Sequence, residues 1–241
     1  IALDRELNTP KILLTIAALV ISSFLIGKRL PFAIAVLALI LANGGWYNML
    51  LSASDTRWRS YFGTYTVNST GDGKVRWLSH GTTLHGIQFR DKPSTPISYY
   101  GPNSGVGLAF TRAEELYGKA ATMGVVGLGT GTLACYAKPA QPWHFYEIDP
   151  LIVTIARDKG LFTYLQNCAP SAQMHVGDAR LTLAEQPKGT FHMLAIDAFS
   201  SDSVPMHLLT KEAFEVYRRV LKPDGLLLVH ISNRHIDLNT V

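Results

Sequence analysis

Residues 124–131, Gly-Val-Val-Gly-Leu-Gly-Thr-Gly, carry an apolar run into a Gly-x-Gly-x-Gly turn at Gly127, Gly129 and Gly131. Glycines at that spacing let the backbone approach a ligand closely. A second apolar run ends in Tyr-Glu-Ile-Asp (146–149), which begins 19 residues past Gly127. An acid there can hold both hydroxyls of a ribose, so the pair of segments reads as a nucleotide- or adenosine-binding βαβ unit. A third run leads to Gly177, Asp178 and Ala179, and a fourth to Asp197, Ala-Phe-Ser-Ser and Asp202. Asp149 and Asp178 also stand where helix caps belong, since acids favour helix N-termini. Acids at three consecutive strand ends, directly after a glycine turn, point beyond capping to a polar ligand site.

The elements that must position these residues alternate. Strands are expected at 123–127, 143–148, 173–176, 191–196 and 225–231. Helices are expected at 131–138, 150–158, 179–185 and 206–221. Such alternation makes a parallel sheet covered by helices, with ligands outside the carboxyl ends of its strands. Ahead of it, Thr64–Asn68, Val75–Ser79 and Leu84–Phe89 read as a small β-meander around a Gly-Asp-Gly turn. Asp91–Pro102 reads as a loop and Val106–Tyr117 as a helix. The expected organisation is a membrane segment over 1–55, meander and loop over 56–102, and a Rossmann-like domain over 103–241.

The first fifty residues differ from the rest. Ile12–Gly27 holds no charge, and after Lys28-Arg29 a second uncharged run extends from Leu30 to Leu51. The first run has 16 residues and the second 22, against the ~20 that span a bilayer core. Trp46 and Tyr47 then fall towards an interface, where amphipathic rings are favoured. We expect an N-terminal transmembrane helical hairpin, part of a longer bundle, in contact with membrane lipid. Arg5, Lys11, Arg57 and Arg59 flank its outer ends, against Lys28 and Arg29 in its loop. That bias favours a multi-pass protein of the inner or plasma membrane with the following domain on the cytoplasmic side.

Lys plus Arg exceed Asp plus Glu by 22 to 18, and no basic cluster interleaves with aromatics, so nucleic-acid binding is not expected. Cys135 and Cys168 lie in apolar, helix-like contexts and read as reduced, buried thiols of a cytosolic domain. His80 and His85 lack a Cys or third ligand at metal spacing and read as strand and turn residues; no metal is expected. The chain opens on Ile1 and stops at Val241 just after a strand-like run, so both ends are expected to be incomplete.

From about Tyr61 to Leu238 the chain resembles the spermidine synthase (polyamine aminopropyltransferase) family. The resemblance rests on Gly-Leu-Gly-Thr-Gly-Thr (127–132), Tyr-Glu-Ile-Asp (146–149) and His-Val-Gly-Asp-Ala (175–179). Asp-Ala-Phe-Ser-Ser-Asp (197–202) and Leu-Lys-Pro-Asp-Gly (221–225) complete it. With apolar spans ahead, it is most similar to the membrane-fused branch, which His80–Gln88 and Ser98–Pro102 also suit. The resemblance implies a β-meander followed by a methyltransferase-like Rossmann domain, and hints at a homodimer. It implies that Glu147 binds the ribose and that Asp178 and Ala179 border the adenine. Asp197 then faces the reacting centre as the base, with Asp202 nearby, and Tyr99 and Tyr100 wall a sulfonium by cation–π contact. The implied donor substrate is S-adenosylmethionine or its decarboxylated form, with no prosthetic group; methylthioadenosine leaves as an amine acceptor attacks.

Two departures bear on that expectation. Where the family's glycine motif usually has an Asp, Thr130 removes a repulsion of the donor's carboxylate and leaves a hydroxyl donor to bind the ligand. The segment before Tyr99 holds Asp91 as its acid, beside Lys92, where the family uses several acids for a diamine. Other readings of the same residues are therefore carried. One is intramolecular cleavage of intact S-adenosylmethionine to methylthioadenosine and homoserine lactone, needing no acceptor, or a related elimination. The others are methyl transfer and a non-catalytic adenosyl-ligand sensor.

Overall fold

The computed structural model describes residues 9–54, 56–81, 83–199 and 204–231, in two compact units, Ile1–Trp58 and Arg59–Val241. In the first unit, α1 (Thr9–Phe24) is followed by a turn and α2 (Arg29–Ile40). A π-helical stretch, Leu41–Gly45, then leads into α3 (Trp46–Ala53). The second apolar run is not the uninterrupted helix expected. Asn43 and Gly44 leave helical geometry, Gly44 at φ 100°, and the Thr15 hydroxyl donates to Asn43 Oδ1 at 3.1 Å. Leu19, Phe24, Leu30, Leu37 and Trp46 are exposed. Among the described residues one helix, Arg29–Ala53, is long and apolar enough to cross a membrane; the shorter Thr15–Phe24 is apolar too.

At the junction lies β1 (Arg57–Arg59). The second unit continues with β2 (Thr64–Ser69), β3 (Val75–His80) and β4 (Thr83–Phe89), an antiparallel meander. Tyr65 and Val67 alternate inward along β2, as a sheet with one covered face requires. The helix expected over 106–117 is two, α4 (Gly105–Thr111) and α5 (Ala113–Tyr117), parted where Arg112 leaves helical ψ.

Five parallel strands follow: β5 (Met123–Val126), β6 (Trp143–Glu147), β7 (Gln173–Val176), β8 (Phe191–Ile196) and β9 (Leu221–Val229). Their order in the sheet is β7-β6-β5-β8-β9. All of β5 is buried, because helices cover both faces of such a sheet. The crossovers include α6 (Pro150–Val153), α7 (Tyr164–Cys168), α8 (Ala179–Ala184) and α9 (Lys211–Val220). Leu183, Phe191, Leu194, Ile196 and Tyr217 build the core between α8, α9 and the sheet.

Several helices differ from their expected form. The segment after the glycine turn is a short 3-10 helix, Thr132–Tyr136, and 154–158 widens into a π-helical turn. Residues 206–208 form a separate 3-10 turn, and Thr210 caps α9 by accepting from Ala213 N. The last strand starts at Leu221, earlier than the Lys-Pro-Asp-Gly turn suggests. Sequence reading missed α7, which carries Cys168.

The expectation of free thiols is overturned. Cys135 and Cys168 form a disulfide with Cα atoms 4.7 Å apart, across a separation of 33 residues. The 3-10 helix 132–136 packs beside α7, a proximity that spacing along the chain does not show. Replacing Cys135 by Ser should lower the stability of the oxidised domain by about 2–4 kcal/mol, read as a drop in thermal midpoint that dithiothreitol reproduces in the wild type. Equal midpoints in the two proteins would refute a stabilising bridge.

Inside the sheet, His144 Nδ1 and His175 Nε2 lie 3.0 Å apart with rings nearly parallel. Burial pushes both imidazoles down, and His175 lowers His144 further. A depressed imidazole contributes stability that is present above the ordinary histidine range and lost as pH falls through the folded value. His144→Phe should therefore lose less of its thermal midpoint than the wild type between pH 7.5 and pH 5. An unchanged pH dependence would assign acid sensitivity elsewhere.

Candidate active site

Register sets the site. Val126 pairs with Tyr146 on one side and Ile196 on the other; Glu147 pairs with Val176, and Ile196 with Val229. One step further along the sheet, Gly127, Glu147, Val176, Asp197 and His230 therefore share a level, with Gly177 one residue beyond. A cavity of about 480 Å³ opens there, walled by Gly127, Leu128, Gly129, Glu147, Ala179 and Asp197 among others. The meander and its following loop supply Tyr65, His80, His85, Tyr99 and Tyr100.

The glycine turn needs its glycines. Gly129 has φ +53°, and a Cβ there would lie 2.7 Å from the His85 carbonyl oxygen. Gly86, at φ +155°, faces Thr130 so closely that a Cβ would sit 2.2 Å from its hydroxyl oxygen. The meander thus lies directly on the glycine turn. Thr130 is 1% exposed, and its hydroxyl shares a 2.9 Å hydrogen bond with that of Thr132. It does not line the cavity, nor does Gly131. The expectation that the Thr130 hydroxyl meets a ligand is corrected: the side chain points into packing against β4. Gly131 instead closes the turn in left-handed geometry at φ 82°.

Glu147 Oε2 accepts from Leu128 N and Oε1 from Asp149 N, each at 3.0 Å. These bonds fix the carboxylate against the glycine turn, and each oxygen retains accepting capacity for a ribose hydroxyl. Burial pushes Glu147 up while the backbone donors pull it back. Asp149 is different. It is 1% exposed, caps α6 by accepting from Leu151 N at 2.9 Å, and accepts from the Ser60 hydroxyl. It is absent from the cavity wall, so its expected ligand contact gives way to capping and to tethering the chain before the meander. Asp178 caps α8 by accepting from Arg180 N at 2.8 Å and lies 3.4 Å from His207 Nε2. Its neighbours Gly177 and Ala179 line the cavity; Asp178 itself does not.

At the opposite end, Asp197 is held by two side chains. The Tyr100 hydroxyl donates to Oδ2, and His230 Nδ1 meets Oδ1. Burial pushes the Asp197 carboxyl up, and the bonds from His230 and Tyr100 pull it down. The Asp197 charge and burial hold the Tyr100 phenol far above its usual range, burial being the larger cause. The Tyr99 ring lies tilted against Tyr100 and His230, with centroids 4.4 and 5.3 Å away, its hydroxyl donating to Leu84 O at 3.1 Å. Tyr136 donates to the Tyr100 carbonyl at 2.6 Å. Asp202 lies outside the described residues.

Sequence reading missed His230. The pointer was available: β9 runs parallel to β8, so a polar residue just after its apolar run must stand beside Asp197. His80 and His85 do lie on strands, as expected, and both also line the cavity.

Comparison with known proteins follows the same lines. No family model matches the chain. It is 28% identical over 111 residues to a polyamine aminopropyltransferase of Vibrio vulnificus (strain CMCP6), covering 44% of this chain and 36% of that protein. It is 28% identical over 81 residues to a spermine synthase of Arabidopsis thaliana, covering 34% and 23%. Among solved structures, a probable spermidine synthase from Corynebacterium glutamicum ATCC 13032 superposes with a TM-score of 0.56 at 17% identity. That match covers 72% of this chain and 62% of the other, and it shows the shared fold. The chain therefore spans about a third or less of the curated relatives it matches. Meander, glycine turn, strand-end acids and these likenesses together support a spermidine synthase-like family.

Proposed function

We propose that this protein is an aminopropyltransferase that uses decarboxylated S-adenosylmethionine and releases methylthioadenosine. The observation that carries the reading is the row of strand ends on one cavity wall: glycine turn, Glu147, and Asp197 bonded to Tyr100. Glu147 accepts from the ribose hydroxyls, and the Gly127–Gly129 backbone lies against the nucleoside. Gly177 and Ala179 border the adenine, with Asp178 shaping that edge from behind. The acids in the described wall, Glu147 and Asp197, suit a cationic donor. Tyr99 and Tyr100 present aromatic surface to the sulfonium. Attack by a neutral amine on the propyl carbon forms an N–C bond, and the C–S pair stays on sulfur, leaving a neutral thioether. With Thr130 buried away from the cavity, its hydroxyl offers the carboxylate of intact S-adenosylmethionine no contact.

The apolar first unit anchors the enzyme in a membrane, its two apolar helices forming a hairpin of a multi-pass segment. Flanking charge favours the cytoplasmic face for the second unit. A disulfide favours an oxidising compartment, and the redox state of Cys135 and Cys168 in intact cells decides between them.

The test is mass spectrometry of products. The purified full chain receives either decarboxylated S-adenosylmethionine with a diamine, or intact S-adenosylmethionine alone. Methylthioadenosine with an aminopropylated amine in the first tube only is the expected result. Methylthioadenosine from intact donor alone, above a no-enzyme control, would replace transfer by intramolecular cleavage.

A further inference from the structure

Asp197 is a poorly placed base for an amine. Its side chain is 6% exposed, and each oxygen is already bonded, Oδ2 to the Tyr100 hydroxyl and Oδ1 to His230 Nδ1. His230 is a third exposed and lines the same cavity. Its backbone is fixed by a 2.9 Å bond from its N–H to Ile196 O. Its ring is held between Tyr99, at 5.3 Å, and Phe199, edge-on at 4.8 Å. An ionised carboxylate can only accept, so it selects the tautomer with the proton on Nδ1. The lone pair is then on Nε2, on the far side of the ring from Asp197. That is the division of labour of a carboxylate–imidazole pair in which the carboxylate orients and the imidazole moves the proton.

We propose that His230 is the general base of the transfer reaction and Asp197 its positioning residue, an assignment that rests on the transfer reading above. Nε2 takes a proton from the acceptor's ammonium, freeing the nitrogen lone pair. That pair forms the N–C bond while the C–S pair returns to sulfur. The imidazolium is stabilised by the Asp197 carboxylate and, being partly exposed, returns its proton to solvent. The titratable groups facing His230 are Asp197 and Tyr99, with Tyr100 acting through Asp197. The wall also carries Tyr65, His80, His85, Glu147 and His207, so a pH limb is assigned by comparing variants.

The experiment follows methylthioadenosine release from decarboxylated donor and diamine across pH 5–9. It uses the full chain as wild type, His230→Gln, and His230→Ala with and without added imidazole. Methylthioadenosine binding is measured beside it by calorimetry. The expected result is a wild-type rate that rises through the imidazole range and a loss of about 100-fold or more in His230→Gln. The ascending limb disappears, binding stays within about threefold, and imidazole restores rate to His230→Ala. Overturning results are a His230→Gln enzyme that keeps the ascending limb, a variant whose binding collapses with its rate, or no imidazole rescue. A wild type that binds methylthioadenosine but transfers to no amine sinks the transfer reading itself, and the base assignment with it.

Discussion

Asp197→Asn should lower the rate of methylthioadenosine release by roughly 10²–10⁴-fold while leaving methylthioadenosine affinity within a few-fold. The amide keeps the shape of the carboxylate but removes its charge. It can present an N–H to His230 Nδ1, which selects the wrong tautomer, and it cannot stabilise an imidazolium. The same substitution should raise the thermal midpoint at neutral pH. Burial lifts the Asp197 carboxyl above its ordinary value, so ionising it costs more in the folded state than in the unfolded chain. Its contribution to stability is full below the unfolded pKa and is lost as pH rises through the folded one. Asn carries no such loss, so the variant's advantage should shrink as pH is lowered into the carboxylate range. Rate and midpoint measured on one preparation check both parts. An Asn variant that is both active and unchanged in stability would remove Asp197 from the site.

Glu147→Gln should weaken methylthioadenosine binding by roughly 10²-fold or more, because hydrogen bonds to a charged acceptor contribute about 1.5–3 kcal/mol each. Two effects add. The ribose hydroxyls lose a charged acceptor, and Leu128 N and Asp149 N, now served by separate oxygens, must share one. Calorimetry with methylthioadenosine and with its 2′-deoxy analogue separates them. The wild type should discriminate the two ligands strongly, and the variant hardly at all. Equal discrimination in both proteins would assign the ribose to another residue.

Much of this site was legible because strand ends are. Apolar runs of four to six residues closed by Gly127, Glu147, Gly177 and Asp197 gave the sheet and its ligand edge before any coordinates. The meander was legible from alternation and its Gly-Asp-Gly turn. What stayed hidden depends on packing between distant segments. Asp149 and Asp178 look like ligands or caps from sequence alone, and only the Ser60 contact and the bonds to Leu151 and Arg180 decide that they cap. Cys135 and Cys168 meet because α7 folds back, and α7 is too short to show helical periodicity. Thr130 reads as a ligand contact until Gly86 is found against it. His230 was passed over because its meaning comes from the neighbouring strand.

The contact of Gly86 with Thr130, and of Gly129 with the His85 carbonyl, ties two regions that are far apart in the chain. Neither can accept a new side chain without moving the other. A chimera that takes its nucleotide loop from one relative and its meander from another will therefore misfit unless positions 85–86 and 129–130 are transplanted together. The same coupling predicts that restoring an acid at position 130 alone would bury a charge against the meander rather than equip the cavity with a new binding group.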